Sequence, residues 1–322
     1  MSSTWTVLLP PTIDPAGPES LGDIATCTSR AVYADEDALV ADIDRYDAII
    51  TRTQPVTERL FAAADRLQIV AKHGTGVDNV DLAAASEHGV IVANTPGENA
   101  NSVAEHAVAL LLAATRNVAD ADRATQAGEW RRADFRGRDL RGRTLGLFGA
   151  GNAGTRVATL LAGFDVTCVA YDPYADPASL PETVSLIDDE IKFFERADDL
   201  SVHAPLTPET RHAIGAEALA LLPDDGVVVN TARGGIVDEA ALVTALEAGE
   251  LGGAGVDVYE TEPPAPDDPI VSCPGVVRTQ HNAGTSVEAL ANMSRAAAAL
   301  VRTAYEGTVP ETALNPDAWG PS

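Results

Sequence analysis

The sequence predicts an α/β protein made of two doubly wound parallel-sheet domains, and three observations carry that expectation. Short apolar runs suited to strands alternate with helical stretches along nearly the whole chain, the pattern of parallel sheets covered on both faces. The 322 residues are 45% hydrophobic with a mean hydropathy of zero, enough chain for two separate cores. A nearly continuous apolar stretch over residues 102–116 suits a buried helix and divides the alternation into two blocks.

In the first block Thr6–Leu9, Ala48–Thr51, Ile69–Lys72 and Val90–Ala93 read as strands with helices between them, a small flavodoxin-like domain. The third of these runs into Lys72-His73-Gly74-Thr75-Gly76-Val77-Asp78. Open parallel sheets bind ligands beyond the carboxyl ends of their strands, so Lys72, His73, Gly74, Thr75 and Gly76 form a candidate substrate loop. The glycines are expected to leave backbone N–H groups free for an anion, and a plain surface turn is the alternative. Lys72 stands out because the only other lysine is Lys192.

The apolar helix Ser102–Arg116 is expected to link the two domains, buried on most sides. His106 within it reads as an interior histidine with satisfied hydrogen bonds rather than a ligand. Six arginines follow, at 131, 132, 136, 138, 141 and 143. They suit either a solvated loop paired with nearby carboxylates or an anion-attracting rim.

The second block opens with the apolar run Leu145–Phe148, then Gly149-x-Gly151-x-x-Gly154, then a helical pattern over Arg156–Leu161. Strand, glycine turn and helix in that order make a dinucleotide-binding Rossmann turn: Gly149 permits the turn, Gly151 admits a pyrophosphate, and Gly154 lets helix and strand pack closely. A second strand, Val166–Tyr171, ends in Asp172, 18 residues past Gly154. A carboxylate there accepts both ribose hydroxyls and repels a 2′-phosphate, so the expected cofactor is NAD rather than NADP.

Helix Asp188–Arg196 precedes strand Leu200–His203, helix Ala216–Leu222 precedes strand Val227–Asn230, and helix Glu239–Ala248 leads to strand Ala254–Val258. Val276–Thr279 is the last strand, and an Ala-rich helix, Val287–Tyr305, closes the chain back onto the first block. Three functional groups arrive at the ends of these strands: Arg233, Glu262 and His281. Their types suit reduction of a 2-oxo acid by a nicotinamide hydride. An arginine fork holds a carboxylate, a histidine gives the proton, and a carboxylate steadies the imidazolium.

From about residue 45 to Leu-Asn-Pro316 the chain resembles the D-isomer-specific 2-hydroxyacid dehydrogenases. The matching words are Gly-Thr-Gly-Val-Asp-Asn-Val-Asp81, Asn-Thr-Pro96, the glycine turn, Tyr-Asp-Pro-Tyr174, His-Ala-Pro-Leu-Thr207, Thr-Ala-Arg-Gly-Gly235, Gly-Val-Asp-Val-Tyr259 with Glu-Pro263, and His281-x-x-Gly-Thr285. The resemblance implies Arg233, Glu262 and His281 as the catalytic set. It implies cofactor contacts from Thr75, the Asn152-Ala153 turn, Asp172, Thr231 and Asp257, with Ala204, Ala232 and Gly284 from the same words. It also implies a homodimer, with the long helix and the arginine-bearing segment at the contact. Gln280 replaces the usual proline before the histidine, Asn282 replaces an aliphatic residue, and Asn152-Ala153 replaces an Arg-Ile pair. A more polar catalytic loop and weaker cofactor binding are the expected consequences.

Within that family the glycine loop is most similar to phosphoglycerate dehydrogenases, enzymes of serine biosynthesis. Hydroxypyruvate/glyoxylate reductase is the alternative, and an NADH-sensing, corepressor-like binding protein the rival from another class. The chain ends soon after the closing helix, so an additional regulatory domain is expected to be absent. The expected division is 1–100 with 286–322 for substrate binding and 101–285 for NAD.

The net charge of -26 is spread along the chain, which favours an acidic coat of the kind found in salt-adapted proteins over an acidic tail. Nucleic acid is not an expected partner, since its phosphates would be repelled. With no signal peptide and no apolar run long enough to span a membrane, a cytoplasmic protein without membrane contact is expected. Cys27, Cys168 and Cys273 have no ligand spacing, so neither a metal site nor a disulfide is expected.

Overall fold

Strands buried on both faces form the centre of each sheet. The structure, a computed structural model, describes residues 4–319, which divide into two compact units: residues up to Asn99 together with those from Thr285, and Ala100–Gly284.

The first unit holds β1 (Trp5–Leu9), β2 (Ala25–Ser29), β3 (Ala48–Thr51), β4 (Ile69–Lys72) and β5 (Ile91–Ala93), all parallel, in the order β2-β1-β3-β4-β5. Side chains alternate between the faces with a period of two. Val7, Leu9, Ile50 and Ile69 pack against Ala297, Ala298 and Val301 of helix Val287–Tyr305. Leu8, Ile49, Val70 and Val92 pack instead against Leu39, Ile43, Tyr46, Leu60 and Phe61. Each such side chain withdrawn from water contributes roughly 1.5–3 kcal/mol. Helix Val287–Tyr305 begins at Ser286, whose hydroxyl accepts the Ala289 amide at 3.1 Å.

The second unit holds β6 (Thr144–Phe148), β7 (Thr167–Tyr171), β8 (Val184–Leu186), β9 (Asp199–Val202), β10 (Val227–Asn230), β11 (Gly253–Val256) and β12 (Val276–Arg278). They form a parallel sheet in the order β12-β11-β10-β9-β6-β7-β8. Helix Ala100–Thr115 covers one face through Ala104, Ala107, Leu110 and Leu111. It sits so close to β11 that a side chain on Gly255 would meet Leu110 Cβ at 2.7 Å. The opposite face is covered by Phe193, Phe194, Leu219 and Leu242, and Gly146 makes the room that the Phe193 ring fills. The expected α/β class with two doubly wound parallel sheets is the observed one.

The sequence reading missed two strands, β2 and β8. Both are edge strands, β2 a small polar Ala-Thr-Cys-Thr-Ser run and β8 three residues long, so neither carries the continuous apolar run of a strand buried on both faces. Consequently the strand before the Lys72 loop is the fourth of its sheet rather than the third. Helix Asn152–Leu161 begins directly on the glycine turn, four residues earlier than its apolar pattern suggests.

In the arginine segment, Arg138 and Arg143 both bind the buried Asp199 and reach Asp225, while Arg131 pairs with Glu129 and Asp134 and Arg141 with Asp165. For these four arginines the paired-loop account holds. Among the described residues no helix is long and apolar enough to cross a membrane.

Candidate active site

The seven-stranded sheet reverses its winding between β6 and β9, and the glycine turn follows β6 at that point. Ligands of open α/β sheets bind at such a reversal. Gly149 (φ 101°) lies so close to the next strand's exit that a Cβ would meet Ala204 N at 2.5 Å. A Cβ on Gly154 would overlap the Gly149 carbonyl. Gly151 differs: its φ of -73° suits any residue and a Cβ there would meet nothing within 4 Å. The fold does not require that glycine, whereas close approach by a ligand does. Helix Asn152–Leu161 starts there without a side-chain cap, so its first amides have no capping side chain.

Two buried polar atoms at the strand ends of this sheet lack a protein partner: Thr231 Oγ1 after β10, and His203 Nδ1 after β9, the latter residue against the turn glycines. Burial pushes the His203 imidazole down to about 4, and its Nε2 lies 2.8 Å from Ser201 Oγ. Asp172 follows β7, its carboxylate accepting the Ala150 amide at 2.9 Å and the Tyr174 amide at 3.0 Å, which fixes the acid beside the turn. Uncapped helix amides, a glycine spared for a ligand and an orphaned hydroxyl fit a dinucleotide.

Arg233, Glu262 and His281 follow β10, β11 and β12, three adjacent strands. Asn230 fixes the first of these loops, its side chain bonding the Ala232 amide at 3.0 Å and the Arg233 carbonyl at 2.9 Å. Gly234 lies directly against the Tyr259 carbonyl, with no room for a side chain between them, so the loops of Arg233 and Glu262 touch. Glu262 takes the Tyr259 amide on Oε1 at 3.1 Å and meets His281 Nδ1 with Oε2 at 2.6 Å. Both side chains are partly open to solvent. His281 adopts the left-handed conformation, φ 51°, which costs a non-glycine residue about 1–2 kcal/mol.

Asp257, fully buried at the end of β11, holds the His281 loop. Its carboxylate accepts the Thr279 hydroxyl at 2.6 Å and the Asn282 and Ala283 amides at 3.0 and 2.9 Å. Gly284 follows, half-buried.

In the first unit the Lys72 loop is more occupied than its sequence suggests. The Gly74 amide donates to Thr95 Oγ1 at 3.0 Å, so it is not free for an anion as expected: a buried amide needs an internal acceptor. Lys72 is buried too, its ammonium donating to the Arg52 carbonyl and the Asn79 side chain. Burial, and more weakly the nearby Arg52 charge, lowers the pKa of His73, whose Nε2 lies 3.3 Å from the Leu290 carbonyl. Thr75 is exposed and Gly76 half-buried.

A family model described as D-isomer specific 2-hydroxyacid dehydrogenase, NAD binding domain, matches residues 108–283. The chain belongs to this family. As a D-2-hydroxyacid dehydrogenase family member it is 40% identical over 279 residues to D-3-phosphoglycerate dehydrogenase of Archaeoglobus fulgidus, covering 86% of this chain and 53% of that one. The corresponding Mycobacterium tuberculosis protein is 42% identical over 286 residues, covering 87% and 53%. The chain thus spans about half the length of these relatives. Among solved structures, a Sinorhizobium meliloti NADPH-dependent glyoxylate/hydroxypyruvate reductase with NADP and malonate is 32% identical, with TM-score 0.86 over 99% of both chains.

Two residues of the chain carry no role that the sequence alone supplies. Arg52, at the carboxyl end of β3, carries a cation beside the Lys72 loop. Its signal was the position directly after a buried strand. His203, one residue past β9, lies within the His-Ala-Pro-Leu-Thr207 word, which by itself assigns it no role.

Proposed function

We propose that the chain is an NAD-dependent D-2-hydroxyacid dehydrogenase of the 3-phosphoglycerate type. The observation that carries the reading is the His281–Glu262 pair at 2.6 Å, in a loop cluster shared with Arg233 on the strand-end edge that also bears the glycine turn. NADH, when bound, supplies the hydride to C2 of a 2-oxo acid, and NAD takes it back from the 2-hydroxy acid. His281 holds the transferred proton on Nε2 while Nδ1–H faces Glu262, whose charge stabilises the imidazolium. Arg233 binds the substrate carboxylate and polarises the neighbouring carbonyl.

The unit around the glycine turn carries the cofactor, through Gly149, Gly151, Gly154, the Asn152-Ala153 amides, Asp172, Ala204, Thr231 and Ala232. Asp172 supports NAD over NADP, because an uncompensated carboxylate repels a 2′-phosphate. The other unit binds substrate. Arg52, Thr75 and Gly76 are its contact residues, with Lys72 and His73 supporting the loop from inside. Relatives of the phosphoglycerate type favour a phosphorylated substrate, which the Arg52 cation suits. A second reading, hydroxypyruvate/glyoxylate reductase, is favoured by the full-length match to the Sinorhizobium meliloti enzyme. A homodimer is proposed on the family resemblance, with the 80% exposed Trp130 indole just before the arginine segment as a candidate contact, and light scattering checks it.

The test is NADH oxidation in high salt with 3-phosphohydroxypyruvate, hydroxypyruvate, glyoxylate and pyruvate. The highest kcat/KM with the phosphorylated acid is the expected result, and preference for glyoxylate or hydroxypyruvate selects the second reading. Cofactor binding without turnover of any would point to a nucleotide-sensing binding protein instead.

A further inference from the structure

His106 sits on helix Ala100–Thr115, where its buried neighbours are Ala104, Ala107, Leu110 and Leu111. Its ring instead turns to a polar pair: Nε2 lies 2.9 Å from Thr279 Oγ1 and 3.6 Å from Asp257 Oδ1. Thr279 Oγ1 is itself 2.6 Å from Asp257 Oδ1. A hydroxyl has one proton and an ionised carboxylate none, so Thr279 donates to Asp257 and must accept from His106. That order places the His106 proton on Nε2.

The chain of bonds ends on the catalytic loop. Asp257 holds the amides of Asn282 and Ala283 with its carboxylate, and its main-chain carbonyl accepts the His281 amide at 2.6 Å. His281 and the two residues after it are thereby pinned to one buried residue. The left-handed backbone of His281 is unfavourable by itself and persists only where its surroundings over-determine it.

We propose that His106 is a positioning residue. Its Nε2–H orients the Thr279 hydroxyl, Thr279 orients the Asp257 carboxylate, and that carboxylate holds the loop that sets His281 against Glu262. The catalytic meaning rests on the reading of His281 as proton donor, but the mechanical link does not. Without the His106 donor the Thr279 hydroxyl is free to take another rotamer, and Asp257 loses one of the bonds that aim it at the loop.

The experiment follows the His281 imidazole nitrogens by NMR through a pH titration of the protein without substrate, the signals being identified by their loss in His281→Asn. In His106→Leu and in Thr279→Val the His281 midpoint should move by about half a pH unit or more. His106→Gln, whose amide reaches the same hydroxyl, and Thr279→Ser should overlay the wild type. In turnover of the best 2-oxo acid, His106→Leu should lower kcat about tenfold with KM changed by less than about threefold. The double variant His106→Leu/Thr279→Val should be no worse than Thr279→Val alone, because the two act in series. If the leucine variant does not fold, His106→Asn, too short to reach the hydroxyl, replaces it. A His281 titration unchanged by loss of the His106 donor, or a glutamine variant as impaired as the leucine one, overturns the proposal. Should the wild type turn over no 2-oxo acid, the proposed function falls while the titration still decides this link.

Discussion

The Nδ1 atom of His281 lies 2.6 Å from Glu262 Oε2, while the other oxygen of that carboxylate takes the Tyr259 amide. The imidazole is therefore oriented by an acid whose own rotation is stopped. Removing the proton carrier and removing its support should have different sizes. His281→Ala is expected to lower kcat by about 10²–10⁴-fold and to leave NADH affinity within about twofold. Glu262→Gln should cost less, because the neutral amide still reaches the ring and His281 itself is retained. Steady-state kinetics with fluorescence titration of NADH separate the two, and undiminished turnover in His281→Ala would remove the proton donor.

The three glycines of the turn should separate by role. Gly151→Val sets its Cβ where nothing of the protein lies within 4 Å, so thermal stability should hold while NADH binding weakens by at least about tenfold. Gly154→Ala drives a methyl into the Gly149 carbonyl and should destabilise the fold by about 1–3 kcal/mol. Parallel loss of stability and affinity in both variants would mean that Gly151 serves packing after all.

For cofactor choice the wild type should prefer NADH, and Asp172→Ala should narrow the NADH/NADPH ratio by about tenfold or more. Some NADH affinity should be lost too, because the Ala150 and Tyr174 amides lose their acceptor. A wild type that already favours NADPH contradicts the role given to Asp172.

Glu239 supplies a pH dependence of stability. Burial first, then repulsion from Glu260, Asp268 and Glu262, pushes it up to about 7 against the pull of the Glu260 amide. A carboxyl raised in the folded state binds its proton more tightly than in the unfolded chain. Its contribution is thus fully present below the ordinary value of 4.5 and is lost as pH rises through about 7. The unfolding free energy from denaturant titrations should fall between pH 5.5 and 8 by an amount on the order of 1 kcal/mol after solvent screening. Glu239→Gln should flatten that part of the curve, and a variant that keeps the full slope assigns it elsewhere.

Much of the fold was legible because central parallel strands declare themselves. Val227–Asn230 and Ile69–Lys72 are buried on both faces and read as unbroken apolar runs, and the glycine turn marks its own strand and helix. What stayed illegible depends on neighbours distant in sequence. β2 and β8 are covered on fewer sides and need no apolar pattern. Gly74 looks like a free anion nest until Thr95, 21 residues on, is found against its amide. Nor could any local pattern show that Asp257 grips the residues after His281, or that Lys72 points inward at Asn79.

The clasp of Arg138 and Arg143 on buried Asp199 alters what the basic stretch offers to the outside. Asp199 also accepts the Val227 amide at 2.9 Å, so these guanidiniums fasten the starts of β9 and β10 and cannot swing out without stranding a carboxylate in the interior. With Arg131 balanced by Glu129 and Asp134, an approaching molecule meets a stretch far closer to neutrality than its count of arginines implies, led by the Trp130 indole.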